Sequence, residues 1–296
     1  NSFKKKENLD IVPILGSLQD NKFINNIIKL YKPETVYHAA AYKHVSLVEE
    51  NLVEGVKNNI IGSLNLLYSV IKYDVSNLVL ISTDKAVRPT SVMGASKRFA
   101  ELCLQSLHDY HVKNSKNKNF TKMCMVRFGN ALDSSGSVIP LFKKQIKEGG
   151  PITLTDKNVT RYFMTIPEAA QLVLQAGSMA EGGDVFVLDM QKSVKIIDLA
   201  KRMIKLSGLT VKDESNLNGD IEIKEIGLAK GEKLYEELLL GKDPQPTQHS
   251  KIKKAKDPFI EWTKLQMIIN QLQEELENNN TSKVLEILKK TVSEGN

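Results

Sequence analysis

The sequence predicts an α/β fold: a doubly wound parallel sheet with a smaller α/β part attached. Three observations predict it. Short apolar, β-branched runs alternate with longer amphipathic runs over the first 130 or so residues, the pattern of strands joined by crossover helices. The most notable polar residues fall where those strands end, at 38–42, 82–85 and 129–130, and open α/β sheets bind ligands at the carboxyl ends of their strands. With 296 residues, 41% of them hydrophobic, the chain is long enough to bury one large core or two smaller ones.

Taken in order, Ile11–Leu15 reads as a strand, and Asn21–Tyr31 as a helix stopped by Pro33, which cannot continue one. Thr35–Ala39 is a strand and Val53–Tyr73 a long helix; Asn77–Thr83 is a strand, Val92–Val112 a helix and Met123–Phe128 a strand. Beyond residue 130 the pattern loosens. Helices are expected at 138–148, 167–180, 195–207 and 232–240, with strands near 152–155, 185–189 and 221–226. The last stretch, Thr263–Ser293, reads as two charged helices around Asn278-Asn279-Asn280.

The net charge of +6 suits an anionic ligand, but it is too small and too evenly spread to argue for nucleic acid. Cys103 and Cys124 lie outside any metal-ligand spacing and read as small buried hydrophobes, so no metal is expected. No apolar run approaches a membrane span. A Gly-rich turn between a first strand and helix, the usual dinucleotide fingerprint, is absent. The simplest account places the first βαβ unit before Asn1; the other is a fold that never bound a dinucleotide.

The chemistry-bearing stretch is S-T-D-K-A-V-R-P-T-S-V-M-G-A-S-K at 82–97. A hydroxyl residue at a strand end, followed by a Lys four residues after a chosen position, matches dehydrogenases that use Tyr-x-x-x-Lys. Here Met93 holds the Tyr position, and a thioether cannot carry a proton. Five further motifs accompany it in order: H-A-A-A-Y-K-H-V (38–45), N-N-I-I-G-S-L-N-L (58–66), V-R-F-G-N-A-L-D-S-S-G-S-V-I-P-L-F (126–142), T-R-Y-F-M-T-I-P-E-A-A-Q-L-V (160–173) and K-G-E-K-L-Y-E-E-L (230–238).

Together these motifs resemble the UDP-N-acetylglucosamine 4,6-dehydratases of the CapD-like polysaccharide-biosynthesis family, which are extended short-chain dehydrogenases/reductases. The resemblance runs from Ile11 to about Leu240. It is to the subgroup with Met in place of Tyr, which includes protein-glycosylation dehydratases that make the bacillosamine precursor. It implies a Rossmann-like, NAD(P)-binding part over 1–135, truncated at its start, to which 160–190 returns. A nucleotide-sugar-binding part then covers 136–262, and charged C-terminal helices cover 263–296. It also implies bound NAD or NADP regenerated each turnover, a UDP-sugar substrate and a homo-oligomer. The expected location is cytoplasmic, or the cytoplasmic face of the inner membrane where a membrane segment lies upstream.

Residue by residue, the resemblance assigns Asp84 to protonate the C-6 hydroxyl and Lys85 to take the C-5 proton. Thr83 and Ser82 would bind the C-4 oxygen and Lys97 the nicotinamide ribose. Asp20, Ala39, Ala40, Ala41, Lys43, Asn59, Phe128 and Asn130 complete the cofactor set. Asn130 again, with His44, Ser137, Val138, Arg161, Met164 and Glu232, would face the nucleotide sugar. Several have plain structural readings: Asp20 as a helix N-cap, Glu232 as a first-turn helix acid, Asp84–Lys85 as a surface pair, Lys97 as a solvated lysine. Two other functions remain open on the residues alone, a nucleotide-sugar 4-epimerase or reductase and an inactive nucleotide-binding regulator.

Overall fold

The computed structural model describes residues 10–115, 120–241 and 244–295. In chain order come α1 (Asn21–Tyr31), β1 (Thr35–His38), α2 (Val45–Glu50) and α3 (Leu52–Val56), then a π-helical turn (Lys57–Ile61) leading into α4 (Gly62–Lys72). β2 (Asn77–Ile81), a 3₁₀ turn (Asp84–Ala86), α5 (Val92–Asn114), β3 (Lys122–Arg127) and β4 (Asn130–Ala131) follow. The next stretch holds α6 (Val138–Lys147), β5 (Ile152–Leu154), β6 (Thr160–Arg161), β7 (Phe163–Met164), α7 (Ile166–Ser178) and β8 (Asp184–Leu188). After it come β9 (Val194–Lys195), α8 (Ile196–Leu206), β10 (Val211–Lys212), β11 (Ile221–Glu225), β12 (Gln245–Pro246), β13 (Ile252–Ala255), α9 (Trp262–Glu277) and α10 (Thr281–Glu294).

The main sheet has the order β1-β2-β3-β8-β13-β12. Its first four strands are parallel, and β13 and β12 close the far edge antiparallel. Side-chain alternation divides the interior. Leu78, Leu80, Met123, Met125, Val185 and Val187 point into one core with α4, α5, α9 and α10. Val79, Cys124, Val126, Phe186 and Leu188 point to the opposite face, against α7. That period of two is the pleat of a strand buried on both faces. A third core joins α6, α8, β5 and β11 through Phe142, Ile146, Ile152, Ile196, Ile204 and Ile221, and its sheet, β10-β11-β5, is also parallel.

Three expectations are corrected. Ile11–Leu15 pairs with no described strand, and Leu15 is 99% exposed; a strand exists only through its ladder, and the sheet ends at β1. The helix expected over Val53–Tyr73 is interrupted by the π turn. No helix forms over 232–240. There Gly231 sits at φ 80°, and its neighbours spend their backbone on distant partners: Gly231 O accepts from Thr90 Oγ1 at 2.8 Å, and Leu234 O from Thr160 N at 3.0 Å. The C-terminal helices belong to the first core, burying Trp262, Leu265, Ile269, Leu272, Val284 and Leu288 against α5. No described helix is long and apolar enough to cross a membrane.

Candidate active site

The loops after β1, β2 and β3 converge on a cavity of about 390 Å³, whose lining includes Ala39, Ser82, Thr83, Lys85, Met93 and Lys97. It shares Asn130, Gly136, Ser137 and Val138 with a second cavity of about 580 Å³, which reaches Arg161 and Glu232.

Asp84 opens the 3₁₀ turn directly after β2 and is fully buried. Its Oδ1 accepts from Thr83 Oγ1 at 2.9 Å and from Lys85 Nζ at 3.0 Å, while Oδ2 has no hydrogen-bond partner among the described residues. The surface-pair reading is therefore excluded. Asp84 meets the cavity wall through its bonds to Thr83 and Lys85, which line it. Lys85 Nζ also donates to Asn130 Oδ1 at 3.2 Å, which ties the turn to β4.

α5 begins with Ser91, whose hydroxyl caps Gly94 N at 3.1 Å. It carries Met93, 3% exposed, and Lys97, 6% exposed, into the cavity wall. Lys97 Nζ donates to Ile81 O at 2.6 Å. Burial pulls this amine down to about 8, against an upward pull from Glu101. Lys97 is thus not a solvated helix lysine. His38, at the end of β1, is also buried, within 2.8 Å of Ser63 Oγ. Burial first and Lys97 second hold it at about 3, so it stays neutral.

The π turn has a visible purpose. It points consecutive residues at the loop after β1: Asn58 Nδ2 donates to Ala40 O at 3.0 Å, and Asn59 bonds both Tyr42 N (2.7 Å) and Tyr42 O (3.0 Å). Asn59 Nδ2 also donates to Ser96 Oγ on α5 at 3.0 Å. Insertion of one residue into a helix re-aims its side chains in this way. Asn59 therefore orders the Ala39–His44 loop from behind, being 1% exposed.

Ser82 is 5% exposed and gives its hydroxyl proton to Glu101 Oε1 at 2.6 Å. Ala39, Ala40 and Lys43 are exposed, Ala41 and Phe128 half-buried. Asp20 caps α1 by accepting from Phe23 N at 2.9 Å. Arg161 Nη2 donates to Glu232 Oε1 at 2.8 Å, and Nη1 to Thr160 O at 2.8 Å. Glu232 also accepts from Thr155 Oγ1 at 3.0 Å. With no helix over 232–240, the first-turn reading of Glu232 falls. Ser137 sits at the N-cap of α6 without capping it, its Oγ buried and unpartnered among the described residues. Val138 follows in the wall. His44 packs so tightly over Gly136 that a Cβ there would meet its ring at 2.0 Å. Met164 is not brought to either cavity; β7 turns it into the core against α7, 4% exposed.

Sequence reading missed two acids. Glu236 is 7% exposed, and its Oε1 lies 3.6 Å from Lys85 Nζ. Glu101, one turn beyond Lys97 on α5, anchors Ser82 and accepts from Arg127 Nε at 2.8 Å. Glu101 is signalled by its i,i+4 spacing from Lys97. Glu236 has no periodic signal, because it lies in irregular backbone.

The family described as "Polysaccharide biosynthesis protein" matches residues 1–257. The Staphylococcus aureus capsular polysaccharide biosynthesis protein CapD is 49% identical over 280 residues, which is 94% of this chain and 44% of CapD. A UDP-glucose 4-epimerase of Rickettsia canadensis is 35% identical over 77% of this chain and 62% of its own length. The chain thus spans less than two thirds of either relative. The X-ray structure of Pen from Bacillus thuringiensis superposes with a TM-score of 0.70 at 35% identity, covering 80% of this chain and 69% of that one.

Proposed function

This chain belongs to the CapD-like polysaccharide biosynthesis protein family, and from that premise we propose that it is the catalytic part of a nucleotide-sugar 4,6-dehydratase acting on UDP-N-acetylglucosamine. One observation carries the proposal. Thr83, Asp84 and Lys85 form a single hydrogen-bonded chain, 2.9 and 3.0 Å, at the wall that also holds Lys97 and Met93. An epimerase or reductase needs one proton carrier at C-4; elimination of water needs an acid and a base together.

The residues present fit NAD or NADP. Ala39–Ala41 put only small side chains at one rim, and the Lys97 amine reaches the same cavity, suited to ribose hydroxyls. When bound there, NAD or NADP would supply an acceptor for the C-4 hydride and a donor of that hydride to C-6. The Thr83 hydroxyl passes the C-4 proton to Asp84 and hands the same proton to the departing C-6 oxygen, which leaves as water. Lys85 takes the C-5 proton and gives it back to C-5. Asp84 and Lys85 end as they began, so no proton is gained or lost. Arg161, with Glu232 and Thr155 behind it, faces the diphosphate; Ser137, Val138 and Asn130 line the sugar-nucleotide side.

The test is incubation of the full-length protein with UDP-N-acetylglucosamine and no added reductant. A product lighter by one water, with a 4-keto group, is expected. The epimerase relatives motivate the second reading. It predicts unchanged mass with an inverted C-4, and that outcome overturns the dehydratase.

A further inference from the structure

A base that must accept the C-5 proton cannot already be an ammonium. Lys85 Nζ pairs with two carboxyls, Asp84 at 3.0 Å and Glu236 at 3.6 Å, either of which could take a proton from it. Glu236 differs from Asp84 in what surrounds it. Its side chain is 3% exposed, in irregular backbone past Gly231. Oε2 has no hydrogen-bond partner among the described residues. Glu236 is one of the residues that line a cavity of about 370 Å³, with His44, Lys85, Arg161, Glu232 and Lys233.

We infer that Glu236 is the proton store for Lys85. It accepts a proton from the Lys85 ammonium, becoming a neutral acid and leaving a neutral amine free to take the C-5 proton. The step breaks one N–H bond and forms one O–H bond with no other reactant. It reverses once Lys85 has returned the C-5 proton. At 3.6 Å the two groups form an ion pair, and the transfer needs them to close to hydrogen-bond distance. Burial raises the Glu236 carboxyl most, Lys85 lowers it, Asp84 raises it, and Arg161 and Lys233 lower it, for a net rise above the ordinary glutamate range; His44 and Glu232 line the same cavity. Glu236 acts through Lys85 and is a positioning and proton-holding residue.

The inference rests on the dehydratase reading, so its test needs a readout apart from turnover. Carbon-13 carboxyl NMR of the full-length protein, with the Glu236 resonance identified by its loss in Glu236→Gln, should show a titration above the ordinary glutamate range. Asp84→Asn should lower that midpoint and Lys85→Met should raise it. In turnover, Glu236→Gln is expected to lower kcat roughly 10- to 100-fold at neutral pH with KM within about 3-fold. The loss should shrink as pH rises, because hydroxide then takes the place of the missing proton acceptor. Glu236→Asp should restore the wild-type pH profile. An ordinary titration midpoint, or a Glu236→Gln loss equal at every pH, overturns the inference. If the wild-type protein leaves the sugar's mass unchanged, the dehydratase reading fails, while the NMR titration still decides whether Glu236 stores a proton.

Discussion

Met93 stands where a proton-carrying tyrosine is expected, and its place in the wall of the cavity, which Thr83 and Lys97 also line, is ordinary for a buried thioether, 3% exposed. In the proposed mechanism the Thr83–Asp84 bond is the route for the C-4 proton. Met93→Leu, a volume-conserving change, should therefore leave the rate of C-4 oxidation within about 3-fold in single-turnover measurements. Met93→Tyr should not raise it; a ten-fold gain or more would mean that the site lacks a base. Lys97 gives a second residue-scale prediction. Its folded pKa of about 8 lies below its ordinary value because it is buried. The unfolded chain then binds more protons between pH 8 and the ordinary lysine range, so Lys97 costs stability at neutral pH and the cost fades as pH rises through that window. Lys97→Met should abolish turnover without lowering the Tm.

At the scale of elements, the active turn is held by close backbone approach. A Cβ on Gly94 would meet Lys85 O at 2.3 Å and Pro89 Cβ at 3.1 Å, so the first turn of α5 can seat the 3₁₀ turn only with glycine there. Gly94→Ala should cost about 1–3 kcal/mol in denaturant unfolding. Because the displaced group is the Lys85 carbonyl, the loss of turnover should exceed what the lost folded fraction explains. The π turn is the second device. Asn59→Ala would leave Tyr42 N–H and C=O without their partner, at roughly 1–3 kcal/mol for each unsatisfied group, and should raise hydrogen exchange first in the Ala39–His44 loop. Neither device is periodic. The amphipathic spacing that marked α1, α5, α6, α7 and α8 reports only which face meets a core. It is blind to one inserted residue, and it predicted helix over 232–240, where tertiary hydrogen bonds took the backbone instead.

Over the whole molecule, a buried ionic cluster ties the active strand to the end of the chain. Glu101 receives Ser82 and Arg127; Arg127 Nη1 lies 2.6 Å from Asp257 Oδ2. Arg98 donates to Pro258 O at 2.9 Å and to Gly295 O. Burial pushes the Glu101 carboxyl up, but Arg127 and Arg98 outweigh it and hold the group at about 2. A depressed carboxylate contributes stability above its unfolded pKa, about 4.3, and loses it as pH falls toward about 2. Acid unfolding of the wild type should steepen in that window and flatten there in Glu101→Gln. That change removes the carboxylate that two buried guanidinium groups share and should cost about 3–5 kcal/mol near neutral pH.

By itself the amino-acid sequence determined the layers of the sheet, the run of motifs at its strand ends and the choice of Thr83, Asp84, Lys85, Met93 and Lys97 as candidates for the chemical core. These are local or periodic properties, written in residue type and spacing. Only the tertiary structure decided that Asp84 is sealed behind Thr83 and Lys85, that Arg161 is held by Glu232, that Met164 faces a core, and that Glu236 stands beside Lys85. The Glu236 contact joins residues 151 apart along the chain. It depends on irregular backbone between Gly231 and Leu240, where no repeat in the sequence announces which side chain turns inward.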